Sequence, residues 1–462
     1  MTTTNVRWNA TMIRRYDLAG PRYTSYPTAP RFQDNYPASE VAAAVARSNA
    51  SGRPLSLYFH IPFCDTICYY CGCNKIVTAN HQHAQPYLDT LYREIAMRAQ
   101  QISHDRPVQQ LHWGGGTPTY ISDKQKTQLM KETRRHFNLV DDDSGEYSIE
   151  VHPGRMATDT ISVLRELGFN RLSMGVQDFN PDVQKAVNRY NSYQEVATLV
   201  NRARQEKYHS ISMDLIYGLP HQTVESIDRT LNQIIDLSPE RLSLFNYAHM
   251  PHLFKTQRQI DESTLPAPRE KLAILENSIN KLQNAGYVYI GMDHFAKPDD
   301  ALAIAQQNGE LQRNFQGYAT HGNCDLLAFG VSSISSIDTI YVQNHKTIPD
   351  YTDAIDKKKQ LPVFKGLTLT ADDLLRRAVI NQLICHFELD FEMFNQAYQL
   401  DFCDYFSEAL EELQPMIDDK LVARNETGLQ VSNDGRLLIR RICMAFDAYL
   451  KSPQPNGYSR II

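Results

Sequence analysis

Leu55-Ser-Leu-Tyr-Phe59-His-Ile-Pro-Phe-Cys64-Asp-Thr-Ile-Cys68-Tyr-Tyr-Cys71-Gly-Cys73 carries an apolar run directly into four cysteines. The first five residues have the length and composition of a buried strand. Cys64, Cys68 and Cys71 then follow with the spacing C-x3-C-x2-C. A tight loop of that spacing can set three thiolates around one cuboidal iron–sulfur cluster. A fully ligated electron carrier takes four protein ligands, whereas three leave one iron open to a small molecule. A structural zinc knuckle is the competing reading, with Cys73 or a nearby His as fourth ligand. Zinc ligands more often come as two separated pairs than as one short cluster. Simple redox thiols are a third reading. The position favours iron–sulfur chemistry, because α/β enzymes place their reactive groups at the C-terminal ends of buried strands.

A strand–helix rhythm extends outward from this loop. Apolar β-type runs occur at 55–60, 108–113, 147–152, 170–176, 210–217, 241–247 and 287–293. Between most of them lie stretches with helical spacing, such as Leu88, Leu91 and Ile95, or Ile227, Leu231 and Ile234. Strands alternating with helices predict parallel pairing through right-handed crossovers. Six or seven such units over about 240 residues predict an α/β barrel or partial barrel over 51–300. A doubly wound sheet is the alternative. Residues 1–50, with Gly20-Pro-Arg-Tyr-Thr-Ser-Tyr-Pro-Thr-Ala29, predict an ordered arm packed on the barrel. Residues 301–360, with the Asn314–Tyr318 excursion, are expected to cap and connect it. Residues 361–462 turn helical at 371–384, 406–416 and 436–450, with a hairpin over 421–432 turning at Asn425-Glu-Thr-Gly428. Helices with a small hairpin predict a winged-helix-like domain. It carries no clear basic stripe, so packing or closing the site is the expected role rather than DNA binding.

The 462 residues are enough for two or three domains, and 42% apolar with 22% charged residues is the balance of a soluble protein. A net charge of -6 argues against nucleic acid as partner and leaves any anionic ligand to local Arg and Lys. No run of about 18 apolar residues is present, so no membrane span is expected. The N-terminus lacks an apolar signal region, so a cytoplasmic location is expected. Cys324, Cys385, Cys403 and Cys443 are scattered. They are expected as small buried hydrophobes rather than disulfide partners. No long exposed apolar stripe stands out, so a monomer is expected.

The second motif is His112-Trp-Gly-Gly-Gly-Thr-Pro-Thr119, at the end of the next strand. Consecutive glycines let backbone groups approach a ligand closely, and Thr117 adds a hydroxyl. A glycine run alone can be a mere bulge, but one strand–helix unit after the cysteine loop it is a candidate grip for an amino-acid-like ligand. Later strand ends carry Glu150, Gln177-Asp178, Asp214 and Ala248-His249. Each alone is more often a cap or a structural hydrogen-bonder. Their recurrence at the same end of successive strands points to one shared mouth.

These residues resemble a known family. Cys64-x3-Cys68-x2-Cys71 and Gly114-Gly-Gly-Thr-Pro118 resemble the cluster motif and glycine-rich motif of the radical S-adenosylmethionine (SAM) superfamily. More narrowly, the chain resembles the oxygen-independent coproporphyrinogen III oxidases from about residue 20 to its end. That likeness rests on Gly20–Ala29, Tyr58–Cys64, the Cys71-Gly-Cys73 pair, Leu172–Phe179, Asp214–Pro220 and Asn314–Tyr318.

The resemblance implies a [4Fe–4S] cluster on Cys64, Cys68 and Cys71, and two SAM molecules per chain. Tyr58, Tyr70, Gly115 and Glu150 would contact the first SAM. Gly116, Thr117, Gln177, Arg189, Asp214, Ala248 and Ile334 would contact the second. Tyr58, His60 and Cys73 match positions needed for activity, Cys73 not as a cluster ligand. The implied reaction is oxidative decarboxylation of two propionates of coproporphyrinogen III to vinyl groups, giving protoporphyrinogen IX. It would use a low-potential electron donor such as a flavodoxin or ferredoxin and an unknown terminal electron acceptor. Arg22 is a candidate for holding a propionate. One departure stands out: His152 precedes Pro153, where the family usually has aspartate. The rival within the resemblance is a haem-trafficking relative without oxidase activity. Such relatives generally lack the second cysteine of the Cys-Gly-Cys pair and the Gly20–Ala29 arm, both present here.

Overall fold

The computed structural model describes residues 5–451 and 458–462. The chain divides into two compact units, one of Phe32–Ser278 with Asn323–Thr368, the other of Met1–Arg31, Ile279–Gly322 and Leu369–Ile462. Among the described residues, no helix is long and apolar enough to cross a membrane.

In the first unit, the six strands expected up to residue 247 form as β1 (Leu55–Ile61), β2 (Pro107–Gly115), β3 (Glu146–Val151), β4 (Arg171–Gln177), β5 (Ser210–Tyr217) and β6 (Arg241–Asn246). Each pairs parallel with the next, in chain order. A doubly wound sheet would reverse its order at a switch point; here there is none. A further strand, β7 (Asp325–Phe329), pairs parallel with the free side of β1, and β8 (Ile334–Ile337), β9 (Ile340–Asn344) and β10 (Val363–Thr368) continue antiparallel beyond it. Among the described residues the sheet does not close: β7 turns to β8 instead of meeting β6.

The helices between the strands start where the sequence supplies caps. Ser122, Ser192 and Thr223 each accept from the third residue of the helix and are bonded back by its side chain, for Asp123–His136, Tyr193–Gln205 and Val224–Leu237. Their buried faces recur at helical spacing, as in Ile227, Leu231 and Ile234. The centre of the core is aromatic. Trp113 is 0% exposed and meets Phe59 and Phe169 edge-on at 6.3 and 4.9 Å. Phe59 stacks on Phe329 of β7 at 4.8 Å. Truncating such a ring costs about 3–5 kcal/mol.

Two buried polar networks hold β7 and its successors to the sheet, so residues 325–368 are not the cap expected of 301–360. Arg106 donates to Asp325 at 2.7 Å, to Ser48 Oγ at 2.8 Å and to the Arg53 carbonyl at 2.6 Å. Glu94 accepts from Arg98 and Asn344 at 2.8 Å and from Tyr351 at 2.6 Å. The first network includes Ser48 of the helix Ala38–Ser51, so that helix belongs with the sheet and the N-terminal arm ends nearer residue 31 than 50.

In the second unit, the arm packs on the C-terminal segment. Arg440 donates to the Pro21 carbonyl at 2.8 Å, and Tyr23 Oη to Asp447 at 3.0 Å. The run expected as a seventh barrel strand at 287–293 forms one half of an antiparallel hairpin, Val288–Gly291 with His294–Ala296, because the chain reverses directly after Gly291. Asn314–Tyr318 is the bend of a second hairpin, Gln312–Asn314 with Gly317–Ala319. The helix Ala371–His386 forms as expected. That at 406–416 is split into Ser407–Glu412 and Gln414–Asp418, since Pro415 has no N–H to continue the first. That at 436–450 shrinks to Ile439–Met444 with short flanking turns. The hairpin Val422–Arg424 with Gly428–Val431 gains a third strand, Glu388–Asp390. The result is a helical module with a small antiparallel wing.

Candidate active site

Period-two alternation decides what faces the site. In β3 and β4, Tyr147, Ile149, Val151, Leu172, Met174 and Val176 are buried, so Ser148, Glu150, Ser173, Gly175 and Gln177 share the opposite face. Register carries that face across the sheet: Tyr58 opposes His112, His112 opposes Ser148, Glu150 opposes Ser173, and Gly175 opposes Asp214, which opposes Ser243. Glu150, Gln177 and Asp214, picked from the strand ends, therefore meet on one surface, whereas Asp178 is bonded to Thr230 and Gln222, and His249 to Tyr247 and Glu262.

The cysteine loop leaves β1 through Phe63–Cys64 and returns beside it through Ile76–Val77. Its four cysteines are free thiols. Its backbone is held from outside. Tyr69 N donates to Val187 O at 3.0 Å, and Asn188 Nδ2 to Ile67 O at 2.8 Å. Gln257 Nε2 donates to Tyr70 O and Thr256 Oγ1 to Cys71 O, both at 3.2 Å. The thiols face a cavity of ≈ 290 Å³. Thr117 Oγ1 donates to Cys64 Sγ at 3.5 Å, and Arg189 Nη1 to Cys68 Sγ at 3.7 Å. Burial pushes the Cys64 thiol up to about 11. A hydrogen bond from Cys73, aided by the Lys75 ammonium, pulls Cys71 down to about 6. Among the described residues no three His, Cys, Asp or Glu side chains converge as ligands of a single metal ion. A cuboidal cluster takes each cysteine on a different iron, so its ligands stand spread around it.

The glycine run lies across the base of this loop. Gly116 N donates to Ile61 O at 2.9 Å and Thr117 N to Phe63 O at 2.8 Å. A Cβ on Gly116 would stand 2.7 Å from the carbonyl oxygens of Pro62 and Phe63, and one on Gly115, at φ +122°, 2.9 Å from the His60 ring. Only glycine fits either position.

Polar groups behind and beside the run are interlocked. His60 Nε2 donates to the Asn74 carbonyl at 2.9 Å, so its Nδ1 accepts from Tyr58 Oη at 3.1 Å. His112 Nε2 donates to Glu150 Oε1 at 3.3 Å, so its Nδ1 accepts from Ser148 Oγ at 2.6 Å. Glu150 Oε2 also accepts from Gly115 N at 3.2 Å, and the His112 ring stacks on Tyr58 at 5.8 Å. Asp214 accepts from Ser173 at 3.2 Å, and burial pushes its carboxyl up to about 6. Arg189 Nη2 donates to the Gly175 carbonyl. Three buried polar atoms of residues lining the cavity have no partner, His152 Nδ1, Gln177 Oε1 and Arg189 Nε.

Of the residues chosen from the sequence, Cys64, Cys68, Cys71, Cys73, Tyr70, Gly115, Gly116, Thr117, Glu150, Gln177, Arg189 and Asp214 line this cavity. Tyr58 and His60 stand beside it, against the glycine run. Ala248 is not among the lining residues; Gln257 donates to its carbonyl and to that of Tyr70, both at 3.2 Å. Ile334 is not among the lining residues; it starts β8, opposite Gln343. Sequence reasoning missed His112 and Ser173, which orient Glu150 and Asp214, and Lys75. Strand alternation with Glu150 and Asp214 was the available signal for the first two.

Comparison with known proteins decides the family. The chain is 51% identical over 457 residues to the oxygen-independent coproporphyrinogen III oxidase of Pseudomonas aeruginosa, covering 99% of both chains. To the Escherichia coli protein of that name it is 49% identical over 463 residues, covering 100% of both. The chain belongs to the oxygen-independent coproporphyrinogen III oxidases. Residues 58–234 match the radical SAM superfamily and residues 369–438 the HemN C-terminal domain. The solved structure of the Escherichia coli coproporphyrinogen III oxidase, described as a radical SAM enzyme, superposes with a TM-score of 0.92 over 96% of this chain and 100% of that one. The sheet of this oxidase family member is thus the partial radical SAM barrel expected from the sequence. Membership implies a [4Fe–4S] cluster and SAM. The donor set fits both: three thiols beside an open cavity, and unpartnered buried polar atoms beside a glycine cradle.

Proposed function

We propose that this protein converts coproporphyrinogen III to protoporphyrinogen IX without oxygen, by oxidative decarboxylation of two propionate side chains. The observation that carries this reading is the set of three thiols, the glycine cradle and the Arg189, Glu150 and Asp214 side chains around one cavity, in a chain of this family. When bound, the cluster and SAM supply a 5′-deoxyadenosyl radical that removes one hydrogen atom from the propionate β-carbon. Loss of CO2 and one electron then leaves the vinyl group, so each propionate gives up one hydrogen atom, one electron and one CO2.

Cys64, Cys68 and Cys71 are assigned as cluster ligands. Tyr70, Gly115 and Glu150 are placed with Tyr58 at a first SAM, and Gly116, Thr117, Gln177, Arg189 and Asp214 with Ala248 and Ile334 at a second. The Arg189 guanidinium suits a carboxylate, and Glu150 and Asp214 suit ribose hydroxyls or cationic groups of the ligand. Tyr58 and His60 form a hydrogen-bonded pair against Gly115. Their role, with Cys73, is to orient the reacting groups and hold the proton positions beside them. A low-potential flavodoxin or ferredoxin as donor, a separate terminal acceptor, a monomeric state and a cytoplasmic location complete the reading.

The test is anaerobic turnover of the reconstituted protein with dithionite, SAM, coproporphyrinogen III and a cell extract as acceptor source, followed by mass. Loss of two CO2 per substrate, with about two 5′-deoxyadenosines formed and neither in Cys68→Ser, is the expected result. SAM cleavage with unchanged substrate would move the reading to another tetrapyrrole. Tight haem binding without SAM cleavage would replace it with haem trafficking.

A further inference from the structure

Asp178 directly follows β4, where the sequence pattern groups it with the residues of the mouth. The structure instead leaves it 1% exposed and outside the cavity lining. Donors hold its carboxylate. Thr230 Oγ1 and Asn180 N donate to Oδ1 at 2.6 and 2.8 Å, and Gln222 Nε2 donates to Oδ2 at 2.6 Å. Its backbone carbonyl accepts from Gln184 Nε2 at 2.9 Å. A carboxylate is kept out of water only when it is bonded in this way.

The two glutamines act as clamps. Gln184, buried in the helix Pro181–Ala186, also donates to Asn191 O at 2.7 Å and accepts from Asn191 N at 3.3 Å. Gln222, also buried, donates to Ile216 O at 2.9 Å and accepts from Leu219 N at 2.9 Å. The first clamp grips the chain two residues after Arg189, and the second grips it two residues after Asp214. Gln177 is the residue before Asp178 itself. It stands at φ +69°, at a bulge in the pairing of β4 with β5. A residue other than glycine stays in that left-handed region only where its surroundings over-determine it. Asp178 N closes the bend by donating to Val176 O at 2.9 Å. Gln177, Arg189 and Asp214 line the cavity from three separate segments, and these segments share one buried anchor.

We propose that Asp178 is a positioning residue, which through Gln184 and Gln222 sets the relative placement of Gln177, Arg189 and Asp214, the wall placed at the second SAM. This rests on the two-site reading under the proposed function. The groups placed at the first SAM are held by other partners. Glu150 is bonded to His112 and Gly115 N, and Tyr58 to His60. Loosening Asp178 therefore acts on one of the two SAM sites.

The test is equilibrium binding of SAM to cluster-loaded protein under anaerobic conditions, with variants matched to wild type in iron content. The electron paramagnetic resonance spectrum of the reduced cluster reports separately on SAM at the cluster. Asp178→Asn puts an N–H among groups that are themselves donors. It is expected to weaken the second SAM by about tenfold or more, with the first within about threefold of wild type and the spectral response unchanged. Thr230→Val removes a bond from the same carboxylate but reaches none of the three segments. It should lower the urea midpoint and leave both affinities within about threefold of wild type. Gln184→Met frees the chain after Arg189 with Asp178 intact, and is expected to weaken the second SAM several-fold. It tests the same claim where Asp178→Asn does not fold. Folded variants that bind two SAM like wild type overturn the positioning role. Equal loss of both SAM molecules in Asp178→Asn overturns it too, as does a Thr230→Val protein that loses the second as strongly. Wild-type protein that binds a single SAM would overturn the two-site reading itself, and the proposal with it.

Discussion

Gln257 ties Tyr70, in the cysteine loop, to Ala248, beyond the end of β6: its Nε2 donates to both carbonyls at 3.2 Å, while its Oε1 accepts from Met250 N at 2.6 Å. The side chain is 3% exposed, so these backbone groups have no water to turn to. Gln257→Ala is expected to destabilise the protein by about 1–3 kcal/mol. It should also release iron to a chelator several-fold faster than wild type. Urea unfolding and the chelation rate check this. Unchanged values in both would show that the loop is held without Gln257.

Gly116 and Gly52 should respond differently to the same substitution. A Cβ on Gly116 meets two backbone carbonyl oxygens at 2.7 Å, whereas Gly52, also in a turn, at φ +63°, has nothing within 4 Å. Gly52→Ala is expected to cost about 1 kcal/mol from backbone strain alone. Gly116→Ala must displace backbone, so a larger loss of about 1–3 kcal/mol beyond that is expected, together with loss of SAM binding. Urea midpoints and equilibrium dialysis of the two variants test the contrast.

Asp214 gives stability a defined pH dependence. Its carboxyl is raised from 3.8 to about 6, so the folded state binds the proton more tightly than the unfolded state. Its contribution is therefore fully present below about pH 4 and lost as pH rises through about 6. Asp214→Asn does not ionise. Its melting temperature relative to wild type should rise from pH 4.5 to pH 8, while SAM affinity at pH 8 falls. A difference in melting temperature that stays flat over that range would contradict the assignment.

Glu94 and Arg98 anchor the late strands through a buried pair whose side chains are only 0% and 4% exposed. Glu94→Gln leaves the guanidinium without its counter-charge, and breaking a buried pair from one side costs about 3–5 kcal/mol. Hydrogen exchange should then rise first in β7 and β9, because Gly330 N and Asn344 also bond to Glu94. Exchange confined to the helix that carries Glu94 would count against that coupling.

Local pattern was sufficient for much of this protein. The cysteine spacing, the glycine run, the six strands β1 to β6 and their polar C-terminal residues all rest on neighbours within a few positions, where covalent geometry and period-two alternation leave little choice. Cys64, Cys68, Cys71, Glu150 and Asp214 were legible for that reason. What joins distant segments was not. Asp325–Phe329 is not among the strands expected from the sequence, and nothing local says that it pairs parallel with Leu55–Phe59, far earlier in the chain. That choice belongs to burial of Phe329 on Phe59 and to the Arg106 and Glu94 networks. Gln257, Ser173 and Lys75 are ordinary polar residues in sequence. They gain a role only when folding strips water from the groups they meet, because an unpaired polar group becomes expensive only once it is buried. The residues proposed for the chemistry are thus legible in the sequence, while the cavity they line and the partners that orient them come from tertiary packing, which alone decides what is buried together.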